Sequence, residues 1–583
     1  MTSTPAVDDA VAGPWMRRQR RIRAAWLCVT ASAALVTGSA LAAYALSALR
    51  LAIPGHDVEL GFADVVMADA ASWRFAGHAL YGVLGDGYAG PPYAPAMPVL
   101  VGALLGARMW NGWPLLITYV AALALVALAF VDRGAPVAAT PAGGRRVIAL
   151  TAVLAPAHLV ALPLIVPLAL LHEGRADVAA WALAMLAVVF ADRADRVGVV
   201  DAVDAVGADR LGRRGARFAL AAGVAAGLGF AFKQSALIAV PAIVIAAIAR
   251  HGLARRDQAR RAAIRRRLAL FIGSAAAALA AILGGVAWNS GRVGVGAVLF
   301  DGPAFDRALG WGTATATMAV MAAPPLASWL AAQWTVRRSI GAAAWRAGLE
   351  GHAAVCALAV LGVPAAAALL RFDGSDSNQC IGVALAWTWS MARTARTAAA
   401  SSALGAAAAV VCLLGIASFA SPSWQRAAQP RLAGFSRTAP LGPLAVFRAA
   451  SPRVTTDLAR FAADDALALV CGDAAAGRPA ASFYDPRKPY RDTVRTGRIA
   501  PNIIGLVDGY AIGRGPAAPL LADIERRAFA CIVEPELLDR PAWLDYVGAD
   551  HAADFAMLGQ AVRRAYAPSG LEFEGRSVWW PRP

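Results

Sequence analysis

Apolar residues along the chain gather into blocks of about 15–25, and a helix that crosses a bilayer needs roughly 20. Clear examples are Ala24–Leu49, Phe218–Phe232, Ser235–Ala249 and Ala398–Ala420. They are rich in Ala and Leu, which favour helix, and short polar clusters separate them. The pattern predicts an α-helical integral membrane protein with about 11 (11–13) transmembrane helices. The range reflects Val147–Leu171, which Pro156, Pro163 and Pro167 interrupt. The segment Tyr93–Ala107 is short and contains Pro95 and Pro98, so it reads as a re-entrant or interface-lying helix. Near Ser421 the pattern changes. Apolar runs shrink to strand length, as in Ala466–Val470 and Ala530–Val533, and Leu520–Ala528 is amphipathic. Residues 421–583 therefore read as a small α/β domain.

Composition agrees with this class. Hydrophobic residues make up 58% of the chain and charged residues 16%, and the mean hydropathy is +0.54. An ordinary globular protein carries about a quarter charged residues. The net charge of +17 would suit a nucleic-acid partner, but the arginines lie in connections between apolar blocks. Insertion bias produces that placement, and nucleic acid is not an expected partner. The six cysteines show neither a CxxC pair nor a metal-ligand spacing. Cys471 and Cys531 share the C-terminal region, either as a disulfide or as two free thiols.

Arginines also orient the chain. The basic residues 1–23 fall in the cytoplasm, and Ala24–Leu49 is an uncleaved signal anchor rather than a signal peptide. The connections Asp192–Arg217, Arg250–Arg267, Arg337–Arg346 and Arg393–Arg396 are placed inside. The junction Lys233-Gln234 and the connections His172–Asp177, Asn289–Asp306 and Phe372–Gln379 are then outside. Residues 24–420 form the polytopic part, with a long first outer loop at 50–111, and residues 421–583 lie extracytoplasmically.

Polar groups collect on that outer face. The first outer loop carries Asp57, Glu59, Asp64 and Asp69, followed by an aromatic-rich stretch from Trp73 to Tyr93. In extended chain, Asp57 and Glu59 point the same way. They could act as general base and orienting partner, hold a divalent cation, or simply solvate the loop. His172–Asp177 is an ordinary charged helix end or a polar site. Lys233 has little polar company, so it either snorkels to the surface or meets an anion such as a lipid phosphate. Arg371–Gln379 could N-cap the helix entering at Ile381 or contribute polar ligands.

In order and spacing, these motifs resemble the GT-C superfamily of membrane glycosyltransferases, particularly bacterial members related to aminoarabinose and mannosyl transferases. The resemblance is carried by Asp57-x-Glu59, Gly77-His78-Ala79-Leu80-Tyr81, Pro91-Pro92-Tyr93-Ala94-Pro95, Arg175-x-Asp177, Lys233-Gln234 and Gly374-Ser375-x-x-Asn378. It spans residues 15 to about 420. The chain departs from the family pattern where Asp57 and Glu59 are not adjacent, which leaves the catalytic carboxylate open among Asp57, Glu59 and Asp64. The resemblance implies an inverting transfer of a sugar from a polyprenyl-phosphate donor to a glycan, lipid or protein acceptor. The site would be the outer face of a bacterial cytoplasmic membrane, surrounded by membrane lipid. Asp57 and Glu59 would be catalytic. Tyr81, Tyr93, Arg175, Asp177, Lys233, Gln234, Ser375 and Asn378 would bind substrate. A divalent cation could assist, although no metal-ligand set is predicted. A transporter or flippase of a lipid-linked or small-molecule substrate, or a non-catalytic membrane scaffold, is the alternative.

Overall fold

The structure is a computed structural model that describes residues 62–81, 94–105, 113–131, 176–200, 208–301 except 256, 310–371 except 370, and 381–399. In the C-terminal region it describes 471, 478, 481–482, 518–533, 535, 552–573 and 576–583. The expected spans Ala24–Leu49 and Val147–Leu171 lie outside the described residues, as does Ala398–Ala420 beyond Ala399.

Among the described residues the N-terminal part is mostly helical. In chain order the helices are α1 (Phe62–Phe75), α2 (Ala96–Leu105), α3 (Trp113–Val131), α4 (Asp177–Val200), α5 (Ala208–Phe232), α6 (Ala239–Leu253) and α7 (Gln258–Gly296). They continue as α8 (Trp311–Ile340), α9 (Ala342–Glu350), α10 (Ala353–Leu369) and α11 (Ile381–Ala399). Among the described residues three helical stretches are long and apolar enough to cross a membrane: Gly212–Phe232, Gln234–Leu253 and Gln258–Leu299. Helix α2, by contrast, has 10 residues, about 15 Å at 1.5 Å per residue, or half the hydrocarbon thickness.

Packing relies on small residues. Helices α4 and α5 run antiparallel, with Gly215 against Ala194 and Gly229 against Ala180. The Phe190 and Phe218 rings close the same interface at 5.6 Å. Glycines at such contacts let helix backbones approach closely where lipid supplies no hydrophobic drive. Another tight contact is at Gly382, where a Cβ would stand 2.2 Å from the Trp181 indole. The main core joins α4, α5, α6, α10 and α11 through residues such as Met185, Val188, Ala242, Leu358 and Trp389.

Three connections differ from the sequence reading. The basic stretches Asp192–Arg217 and Arg250–Arg267 are largely helical: α4 runs to Val200, α5 begins at Ala208, and α7 begins at Gln258. Arginine is a good helix former, so these charges extend helices beyond the apolar part rather than ending them. At the outer connection beginning at Asn289, helix α7 kinks at Gly291 (φ 61°, ψ −157°) and continues to Gly296, then into a π-helical turn at Ala297–Asp301. Only glycine adopts that backbone geometry readily.

In the C-terminal region four strands form one sheet: β1 (Ala481–Ser482), β2 (Ile532–Val533), β3 (Tyr566–Phe573) and β4 (Arg576–Pro581), in the order β1-β2-β4-β3. β1 and β2 are parallel, while β4 pairs antiparallel with both β2 and β3. Helices α12 (Ala518–Glu525) and α13 (Ala552–Ala565) accompany them. Cys471 and Cys531 form a disulfide with Cα atoms 5.4 Å apart. The phenol of Tyr566 donates to Phe529 O and accepts from Phe529 N, at 3.2 and 3.1 Å. Burial drives its pKa up to about 12, against these hydrogen bonds.

Candidate functional site

The site lies where α5 gives way to α6. Helix α5 ends at Phe232, Lys233 is extended (φ −160°, ψ 131°), and Gln234–Ile238 form a 3-10 turn leading into α6. This break between two apolar helices brings Lys233 to the first residue of α4. Its ammonium pairs with the Asp177 carboxylate, and the two side chains are 16% and 5% exposed. An ammonium this enclosed needs a counter-ion, which the helix start supplies. The next residue is held as well: Gln234 Nε2 donates to Val298 O at 3.0 Å, tying the turn to the π-helical segment.

The first loop docks against the same place. Leu80 N donates to Asn289 Oδ1 at 2.7 Å and Tyr81 N donates to Ser290 Oγ at 3.1 Å. Asn289 and Ser290 immediately precede the kink at Gly291, where side chains can serve backbone groups from elsewhere. Tyr81 is buried with Phe230, Val286, Ala297 and Val298. Burial holds its phenol pKa well above the ordinary tyrosine value, and Asp69 pushes it in the same direction. Helices α1 and α2 pack Met67, Met97 and Val101 against Ala176 and Phe232, the neighbours of Asp177 and Lys233. At the mouth of the stretch leading to Ser375 and Asn378, Arg371 lies 4.0 Å over the Trp311 ring.

Of the residues singled out in the sequence, the structure brings Tyr81, Asp177, Lys233 and Gln234 to one end of the bundle. Asp57, Glu59, Tyr93, Arg175, Ser375 and Asn378 lie outside the described residues. Asp64 and Asp69 belong to α1 rather than to a loop. Among the described residues no group of three or more His, Cys, Asp or Glu side chains could hold a metal ion.

A second polar cluster was not singled out in the sequence. Asp192 and Asp177 share α4 and lie about 22 Å apart along it at 1.5 Å per residue. Arg250 donates from Nη2 to Asp192 Oδ1 at 2.5 Å and from Nη1 to Asp195 Oδ2 at 2.6 Å. The same guanidinium donates to Glu350 O from Nε and Nη2 at 3.0 and 2.6 Å. Asp192 also accepts from Ala354 N and Val355 N at 3.0 and 3.4 Å, capping the start of α10. Arg267 reaches Asp195 at 3.5 Å and Arg260 reaches Glu350 at 2.7 Å. Asp192 and Asp195, three apart on a helix, share a face, which was the available signal. Their partners come from helices that only folding brings close.

This cluster ties five helices, α4, α6, α7, α9 and α10, whereas the Lys233 end joins one ammonium to one carboxylate beside polar loop groups. The first arrangement suits a structural joint, and the second can hold an anionic group near a cation. No protein-family model and no curated protein matches the chain.

Proposed function

We propose that this protein is a membrane glycosyltransferase using a polyprenyl-phosphate sugar at the outer face of a bacterial cytoplasmic membrane. The observation that carries the reading is the meeting of Asp177, Lys233, Gln234 and Tyr81 at one end of helices long enough to cross a membrane. These residues come from three separate motifs of the resemblance. A pair of opposite charges flanked by a fixed amide and a buried tyrosine is a reasonable cradle for a phosphate and a sugar.

In the proposed reaction the acceptor hydroxyl attacks the anomeric carbon of the donor. The bond from that carbon to the phosphate oxygen breaks, and the polyprenyl phosphate leaves with the electron pair. Asp57 or Glu59 takes the hydroxyl proton. Lys233, with Arg175, faces the charge growing on the phosphate, and Asp177 orients the ammonium. Tyr93, Ser375 and Asn378 complete the substrate contacts. Residues 421–583 lie outside and shape the acceptor side. The Cys471–Cys531 disulfide supports an oxidising compartment for that region.

The test is mass spectrometry of polyprenyl-phosphate sugars and envelope glycans in cells carrying wild type, Asp57→Asn or Glu59→Gln at matched protein levels. Accumulation of a lipid-linked sugar with loss of a glycan substituent in either variant is the expected result. Unchanged pools, with an envelope defect on gene deletion, would sink the proposal and favour the transporter or scaffold.

A further inference from the structure

The arginine-rich ends of α5 and α7 are drawn together by small residues. A Cβ on Gly223 would stand 2.0 Å from Ser274 Oγ, one on Gly227 2.5 Å from Ala278 Cβ, and one on Gly215 3.0 Å from Arg267 Nε. Both helices advance in the same direction along this contact, so the beginning of α5 lies beside the arginines of α7. Arg214 and Arg217 of α5 and Arg265 and Arg266 of α7 are exposed there.

Among the described residues, the acidic side chains nearby engage other groups. Asp192 and Asp195 engage Arg250, Asp195 also engages Arg267, and Glu350 engages Arg260. Asp257 accepts from Arg260 N at the start of α7. Asp209 sits in the first turn of α5, with its side chain outside the described residues.

The same faces then turn apolar. Arg217, Leu220, Val224 and Leu228 follow one another at three- and four-residue steps, which is one stripe of a helix. The three apolar members are 42%, 44% and 44% exposed. Only 17% of the most apolar stretch of α7 is buried. A basic face that merely meets solvent does not need a continuous apolar stripe directly below it. In a helix pair that crosses a bilayer, this level is where phosphate headgroups meet hydrocarbon. Guanidinium groups bind phosphate oxygens through paired N–H donors, so arginine suits such a contact better than lysine.

We infer that this corner binds the headgroup phosphate of an anionic phospholipid, whose acyl chains lie along Leu220, Val224 and Leu228. The site is at the end of the bundle remote from Lys233. It depends on the chain crossing a membrane and not on the transferase reading.

The experiment is native mass spectrometry of the full-length protein released from micelles containing equal phosphatidylglycerol and phosphatidylcholine. The wild type is expected to retain phosphatidylglycerol at least about tenfold over phosphatidylcholine, because several basic groups act on one headgroup. Arg214→Gln/Arg217→Gln/Arg265→Gln/Arg266→Gln should reduce that preference to about twofold or less, while Arg337→Gln/Arg338→Gln should keep it. Equal retention of the two lipids by the wild type overturns the inference whether or not the variant folds. So does an unchanged preference in the quadruple variant. Loss of the lipid preference in millimolar inorganic phosphate would mean a free-phosphate site and would also overturn it.

Discussion

The two ends of the helical bundle treat charge in opposite ways. At the arginine-rich end Asp192 is fully buried, yet it is met by a guanidinium and two backbone N–H groups, and its partner Arg250 binds three acceptors. At the other end Lys233 and Asp177 form a single pair at a helix break, with Gln234 and Tyr81 anchored by backbone contacts beside it. Removing one member of a fully satisfied buried network strands the rest, so such a network reads as a joint. A pair whose ammonium keeps some access to the surface can exchange its partner for a ligand. The comparison marks one end as a structural joint and the other as the candidate site.

The largest test of that division is Arg250→Ala. Losing one partner of a buried ion pair costs about 3–5 kcal/mol. Thermal denaturation in detergent should show the variant strongly destabilised, and a near-wild-type melt would remove the structural role. Packing near the other end offers a second test. Gly382→Ala forces a Cβ into the Trp181 indole, and such overpacking costs about 1–3 kcal/mol. If that melt is unchanged, the α4–α11 contact is looser than described.

A smaller stability effect should accompany a larger functional one at Lys233. A double-mutant cycle of Lys233→Ala and Asp177→Ala should give a coupling of about 1 kcal/mol in unfolding. Transfer should fall by about 100-fold or more if the ammonium faces the leaving phosphate. Equal and large losses of stability at both ends would erase the distinction. A further effect, seen only at alkaline pH, lies outside both ends. The folded-state pKa of Tyr566 is raised to about 12, above the roughly 10 of an unfolded tyrosine. Folding therefore favours the neutral phenol, so this contribution is complete below about pH 10 and is lost as pH rises toward the folded value. Tyr566→Phe should flatten that part of the alkaline unfolding curve, and an unchanged slope would place the titration elsewhere.

The sequence was legible where the solvent alone dictates structure. Long apolar runs foretold the described helices that are long and apolar enough to cross a membrane, and the polar pair Lys233-Gln234 marked the break between two of them, where the structure has an extended residue and a 3-10 turn. The short, proline-bearing segment around Ala96–Leu105 was distinguishable from a full span for the same reason. Partner choice was less legible. Asp192 stands in Asp192-Arg193-Ala194-Asp195-Arg196 and resembles a solvated connection, yet tertiary packing buries it against Arg250 and α10. Val298 became the acceptor for Gln234 through a local backbone turn that no side-chain pattern announces. Asp177 and Lys233 could be singled out as polar positions, but their pairing depends on how α4 meets the end of α5. Asp57 and Glu59 remain readings of the sequence, outside the described residues.

The most direct test of the functional end is the ratio of polyprenyl-phosphate sugar to free polyprenyl phosphate in membranes from cells carrying wild type or Lys233→Ala. The comparison should be made at equal amounts of folded protein. The account predicts that the ratio rises severalfold in the variant while the protein keeps most of its thermal stability. A wild-type ratio in a folded Lys233→Ala protein would contradict it.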